Sequence, residues 1–230
     1  QDGILVDATG VGQSSVDGSD VGSDSNLELR GSTDRDDLIG GEGDDILNGR
    51  GDADSLTGGE GDDLFKFNQG EGGDVITDFG TESGNFGDGN DQIALSDSDF
   101  ALGTGKLSAL QEANPDGFST GQIADNNLAV LTGAGSAIDT SGNAASDLAN
   151  INAAFDSGSG DDGFANSADA VLAFNADTDG DGTADEVQVW FAEENTPDNT
   201  ADAAEQIATI GNINPQDLSG VFAVDDVIGF

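Results

Sequence analysis

From Gly31 the sequence keeps a nine-residue register through four consecutive blocks, GSTDRDDLI, GGEGDDILN, GRGDADSLT and GGEGDDLFK. The blocks begin at Gly31, Gly40, Gly49 and Gly58. Their sixth position is always aspartate (Asp36, Asp45, Asp54, Asp63), and their eighth is always large and apolar (Leu38, Leu47, Leu56, Phe65). Glycine supplies positive φ and close backbone approach in a tight turn. The residues after the aspartate alternate as a short strand with position eight pointing inward. Two blocks then make one turn of a flattened spiral, and alternate blocks stack. Asp36 lies over Asp54 on one side, and Asp45 over Asp63 on the other. A flexible acidic linker would not hold the aspartate and the apolar residue in phase over four blocks.

Charge decides what can hold such turns together. The chain has 5 Lys+Arg against 47 Asp+Glu, a net charge of −42. Low hydrophobicity with a charge this high is the composition of a disordered chain unless something cationic neutralises the carboxylates. Five basic side chains cannot do so; a hard, oxygen-seeking cation such as calcium can, because it takes six to eight oxygens. Stacked turns offer carboxylates and free carbonyls to the gap between them. The candidate ligands are therefore Asp36, Asp45, Asp54 and Asp63, with the turn glycines Gly40, Gly43, Gly49, Gly58 and Gly61, for several calcium ions. Four inward side chains alone cannot offset the entropy of ordering four blocks.

The same composition excludes whole classes of function. Nucleic acid and anionic membrane surfaces would be repelled, and no phosphate clamp can be built. The absence of Cys and His removes disulfides, thiol nucleophiles, Cys-ligated zinc and the Ser-His-Asp triad. No run of about 18 apolar residues exists to cross a membrane as a helix.

GGEGDDILN and GGEGDDLFK match G-G-x-G-x-D-x-U-x at every specified position. In this the chain resembles the RTX family, the hemolysin-type calcium-binding nonapeptide repeat proteins. The first block lacks glycine at positions two and four, and Arg50 and Asp52 replace those glycines in the third. The resemblance implies a parallel β-roll with calcium in its turns, in a secreted bacterial protein. Residues 64–95 look like the segment that closes the roll in serralysin-type proteases. By that resemblance Asp74, Asp78 and Asp91 are further candidate ligands.

Elsewhere the pattern changes. Residues 1–30 read as irregular coil ending in a strand at Leu27 and Leu29 that caps the roll of residues 31–95. Residues 96–230 read as an α+β cap. Its strands are expected at 127–132, 170–174, 186–191 and 206–210, and a helix at 143–155 with Leu148, Ile151 and Phe155 at helical spacing. Trp190 is expected in the core. Asp177, Asp179, Asp181, Thr183 and Asp185 follow EF-hand-like spacing with Gly182 at position six. Gln188 stands where the bidentate Glu would be, and the loop is expected to close a hairpin. Asp162, in an isolated G-x-G-x-D-x-U segment, is a further candidate. The terminal DDVIGF resembles the uncleaved signal of type I secretion substrates.

The expected fold is thus mainly β: a short parallel β-roll of calcium-binding nonapeptide repeats with an α+β C-terminal cap. The expected function is a non-catalytic extracellular calcium-binding module that folds on calcium after passing a type I exporter. Its expected location is outside, or on the surface of, a Gram-negative-type bacterium. The alternative is a calcium-dependent structural protein of a surface layer, biofilm matrix or adhesin, with self-association or glycan contact. Neither H-E-x-x-H nor G-x-S-x-G occurs, and among 47 acids a glycosidase-like carboxylate pair carries no weight.

Overall fold

The computed structural model describes residues 3–10, 12–82, 85–86, 90–96, 100, 110–113, 127–131, 137–155, 169–193, 200–211 and 227–229. The chain divides into two units. One comprises Gln1–Phe100, Ile207–Asn212 and Asp225–Phe230; the other comprises Ala101–Gln206 and Ile213–Val224.

The first unit is a parallel β-roll. Its strands are β1 (Ile4–Asp7), β2 (Ser15–Asp17), β3 (Leu27–Arg30), β4 (Asp37–Ile39), β5 (Ile46–Asn48), β6 (Ser55–Thr57), β7 (Leu64–Phe67) and β8 (Asp74–Ile76). After them come the short pair β9 (Thr81–Glu82) and β10 (Asn85–Phe86), and then β11 (Gln92–Leu95). Successive strands alternate between two sheets, because each block spends its glycine-rich half turning the chain over. β1, β3, β5, β7 and β11 form one parallel sheet. β2, β4, β6 and β8 form the other. Position eight fills the space between them: Leu38, Leu47, Leu56 and Phe65 are fully buried. Leu29, Phe67, Ile76, Ile93 and Leu95 continue that core, each adding roughly 1.5–3 kcal/mol of apolar burial.

The roll extends beyond the repeats. Residues that read as coil form β1 and β2, a full additional turn in which Val6 and Val16 face inward half-buried. Nine-residue periodicity misses this turn because its spacing is irregular. Ser14 bonds to a residue 22 positions on, whereas stacked blocks are 18 apart. At the other end the interval widens to 28, and the antiparallel β9–β10 pair occupies the added length.

The second unit contains β12 (Leu110–Ala113), β13 (Asn127–Leu131), β14 (Ile138–Asp139), α1 (Ala144–Phe155), β15 (Ala170–Asp177), β16 (Glu186–Glu193) and the start of β17 (Ala203–Ile210). β15 and β16 are antiparallel, the expected hairpin. β12, β13 and β14 run parallel to their neighbours. The helix begins where Asn143 caps it: Ala145 and Ser146 donate their amides to Asn143 Oδ1, and the Asn143 amide donates back to Ser146 Oγ. Ile151 and the half-buried Leu148 pack with Ala129, Ile138, Leu172, Phe174, Ala176 and Trp190. Trp190 stacks on Phe174 with ring centroids 6.2 Å apart, and its indole N–H donates to Gln188 Oε1.

Two late segments belong to the roll. Ala208–Ile210 of β17 pair in parallel with β8. β18 (Val227–Gly229), within the tail that resembles a secretion signal, pairs in parallel with β11. Asp225 and Asp226 lie outside the described residues. Among those described, no helix is long and apolar enough to cross a membrane.

Candidate metal centre

Each block folds its position-six carboxylate back beneath its own first residue. A Cβ on Gly31 would stand 2.6 Å from Asp36 Oδ2, and one on Gly49 or Gly58 would overlap the carboxylate of Asp54 or Asp63. The same Cβ on Gly31 or Gly40 would strike the carbonyl of Gly49 or Gly58 in the stacked block. Glycine at position one is therefore a steric requirement of the stack.

The carboxylates form two stacks. On one side the Ser14 amide donates to Asp36 Oδ1 at 2.6 Å, the Asp36 amide to Asp54 Oδ1 at 2.7 Å, and the Asp54 amide to Asp74 Oδ1 at 3.0 Å. On the other, the Leu27 amide donates to Asp45 Oδ1 at 2.6 Å, Asp45 to Asp63 at 2.8 Å, and Asp63 to Asp91 at 2.9 Å. All six aspartates are buried. The sequence places Asp36 over Asp54 and Asp45 over Asp63, and those are the pairs the backbone joins.

The second oxygen depends on position two. In blocks one and two the amides of Ser32 and Gly41 donate to Oδ2 of their own Asp36 and Asp45. In blocks three and four position two is left-handed, with Arg50 at φ 77° and Gly59 at φ 109°. The Gly59 amide then donates to Asp78 Oδ2, and Gly58 to Asp78 Oδ1. Asp54 Oδ2 and Asp74 Oδ2 are left buried with no hydrogen-bond partner.

Electrostatics follow the same division. Burial raises Asp36, but the amide of Ser32 and the hydroxyl and amide of Ser14 outweigh it and hold the carboxyl below its ordinary range. Burial raises Asp45 against the amides of Leu27 and Gly41. Asp54 is pushed up to about 6 by burial and by Asp36 and Asp52. Asp63 and Asp74 are each pushed up to about 8, chiefly by burial, with the charges of Asp91 and Asp54 respectively adding to it. Burial also brings Asp91 to about 6 and raises Asp78. None of the ion pairs among the described residues involves a stacked aspartate; Arg30 and Arg50 pair with Asp7 and Glu28.

These residues fit calcium. The donors are carboxylate and carbonyl oxygens, and among the described residues Asp54 Oδ2 and Asp74 Oδ2 have no partner and no basic side chain pairs with a stacked aspartate. Gly40, Gly49 and Gly58 line the stacked turns at position one. Gly61, at φ 115°, lies over Gly43. Asp74 and Asp91 continue the two stacks, whereas Asp78 caps the amides of Gly58 and Gly59. Ser14 and Leu27 complete the stacks at their first ends; Leu27 keeps the 18-residue interval, in the strand expected to cap the roll, whereas Ser14 was hidden by an interval of 22.

In the second unit, carboxylate oxygens of Asp177, Asp179 and Asp185 lie within 4.8 Å of one another. Asp181 stands outside that group: its carboxylate accepts the Thr183 hydroxyl and amide, which lower it. Asp162 lies outside the described residues.

Residues 30–65 match the RTX calcium-binding nonapeptide repeat family, in four copies. No curated protein and no solved structure matches the chain.

Proposed function

With residues 30–65 as RTX repeats that bind several calcium ions, we propose that the chain is a non-catalytic extracellular module that folds on calcium after type I secretion. One observation carries this reading: Asp54 and Asp74, buried on one stack, each hold a carboxylate oxygen without a partner. A chain of charge −42 cannot bring such groups together without a counter-charge. Calcium supplies that charge and bridges neighbouring turns. Where calcium is scarce, as inside a cell, the carboxylates repel and the chain stays open, the state a narrow exporter requires. Where calcium is plentiful, binding and folding are one equilibrium.

Far-UV circular dichroism with calcium and with chelator tests the reading. Strand signal should develop with calcium and disappear in chelator at neutral pH. An unchanged, strongly β spectrum in chelator would sink it.

A second reading is calcium-dependent self-association in a surface layer, matrix or adhesin. It is favoured by β1, which pairs with β3 alone among the described residues and leaves Ile4 and Leu5 about half exposed. Such an edge is a template for strand addition. Sedimentation velocity against calcium concentration separates the two: a monomer throughout supports the module, and growth with calcium supports assembly.

A further inference from the structure

We propose that the second unit holds its own calcium site, at the β15–β16 hairpin, outside the repeats. Its donors are the carboxylates of Asp177, Asp179 and Asp185 and the side-chain carbonyl of Asn175.

Three carboxylates bring oxygens within 4.8 Å of one another, a like-charge cluster whose repulsion a cation among them would relieve. No Lys or Arg occurs among the described residues of this unit. Asp177 is 4% exposed and the other two are exposed, so one ligand is anchored in the fold and two approach from solvent. The anchor is fixed by the backbone. Gly180 and Gly182 donate their amides to Asp177 Oδ1 and Oδ2 at 2.7 and 2.8 Å, and both glycines are left-handed.

Asn175 is the independent observation. It is 4% exposed, and its Oδ1 has no hydrogen-bond partner. Strand alternation puts it on the same face of β15 as Asp177. Its cross-strand partner is Val187, two residues beyond Asp185, so Asn175, Asp177 and Asp185 share one face of the hairpin. The opposite face, with Phe174, Ala176 and Trp190, packs in one core cluster, and the Asn175 face is buried as well, with Val171, Ala173, Val187 and Val189. A buried carbonyl oxygen without a donor, on the same strand face as a carboxylate group without a counter-ion, is a group a cation would satisfy.

The donors are all oxygen, which selects a hard ion over a transition metal. The exposed loop can relax to six or more ligands, as calcium allows and the strict octahedron of magnesium does not. Asp139, in register with Asp177 on β14, and Asp181 stand outside the group whose oxygens lie within 4.8 Å, whereas Asp185, whose Oδ2 accepts the Thr178 amide and hydroxyl, keeps Oδ1 for a cation.

The test uses the full chain and two readouts. Bound calcium is counted by equilibrium dialysis for the wild type and for a double variant, Asp179→Asn with Asp185→Asn, at exposed positions with no core role. The variant should bind one ion fewer while the calcium-dependent β signal of the roll is kept. In amide NMR of the wild type, calcium should shift Gly180 and Gly182. An unchanged ion count with unshifted glycine amides overturns the site. Asn175→Leu decides the fourth donor: about a tenfold loss of affinity at this site supports it. Unchanged affinity with higher stability, the mark of a relieved packing defect, overturns it.

Discussion

Blocks two and four carry the same consensus, yet their turns differ. Gly41 turns its amide onto Asp45 and satisfies that carboxylate from within the block. Gly59 is left-handed, and its amide goes to Asp78 instead. The cause is the neighbour each turn rests on. Block two packs on the irregular segment 18–25, where the Glu42 amide donates to Val21 O. Block four packs on block two, where the Glu60 amide donates to Gly41 O. Blocks one and three differ in the same way, Ser32 satisfying Asp36 while left-handed Arg50 leaves Asp54 Oδ2 without a partner. Along the stack that begins at Asp36 the aspartates thus have two roles: a backbone cap at Asp36, and an oxygen awaiting a cation at Asp54 and Asp74.

The largest test of that contrast is Asp54→Ala against Asp36→Ala. Each removes a carboxylate that caps a stacked amide, and an unsatisfied buried amide costs about 1–3 kcal/mol. Asp54→Ala also removes a cation-ready donor, so its calcium midpoint for folding should rise tenfold or more. Asp36→Ala should lower stability with a smaller rise. Calcium titrations followed by circular dichroism rank the two, and equal shifts would erase the distinction between the two roles.

Acidity probes the same contrast with calcium removed. Asp63 and Asp74, at about 8 in the folded roll, keep protons that the unfolded chain loses near its ordinary value of 3.8. Folded stability in chelator should therefore be greatest near pH 4 and fall as pH rises towards 8, where it levels off. Asp36, which is lowered, works in the opposite sense and loses its contribution as pH falls below 4. The far-UV circular dichroism strand signal in chelator, followed across pH 4–9, reads the balance.

Asp74→Asn should separate folding from calcium more finely. Removing a buried charge should raise the β signal in chelator at pH 8 while weakening the calcium response. The same change at Asp36 should only destabilise. The smallest effect is expected for Asp52→Gly, which restores glycine at a left-handed position (φ 64°) and removes a charge that raises Asp54. About 1 kcal/mol of relief, or roughly 2–4 °C in the melting midpoint of a chain this size, is expected at saturating calcium.

Much of the roll was legible. The four inward residues, the alternation of blocks between two sheets and the stacked aspartate pairs all follow from a period of nine, because each block is one strand and one turn. The hairpin around residues 178–185 and the helix capped by Asn143 were legible from local chemistry. The turn of β1 and β2 was not, since its spacing differs from 18, nor was the return of β17 and β18 to the roll, which involves partners more than a hundred residues away.

The sequence by itself determined that carboxylates recur at fixed offsets from glycine, and hence that a hard cation must serve this chain. Only the tertiary structure decided which of those carboxylates are already satisfied. That depends on φ at position two, which is set by the turn stacked beneath it, and two consensus blocks in different stacks meet different turns.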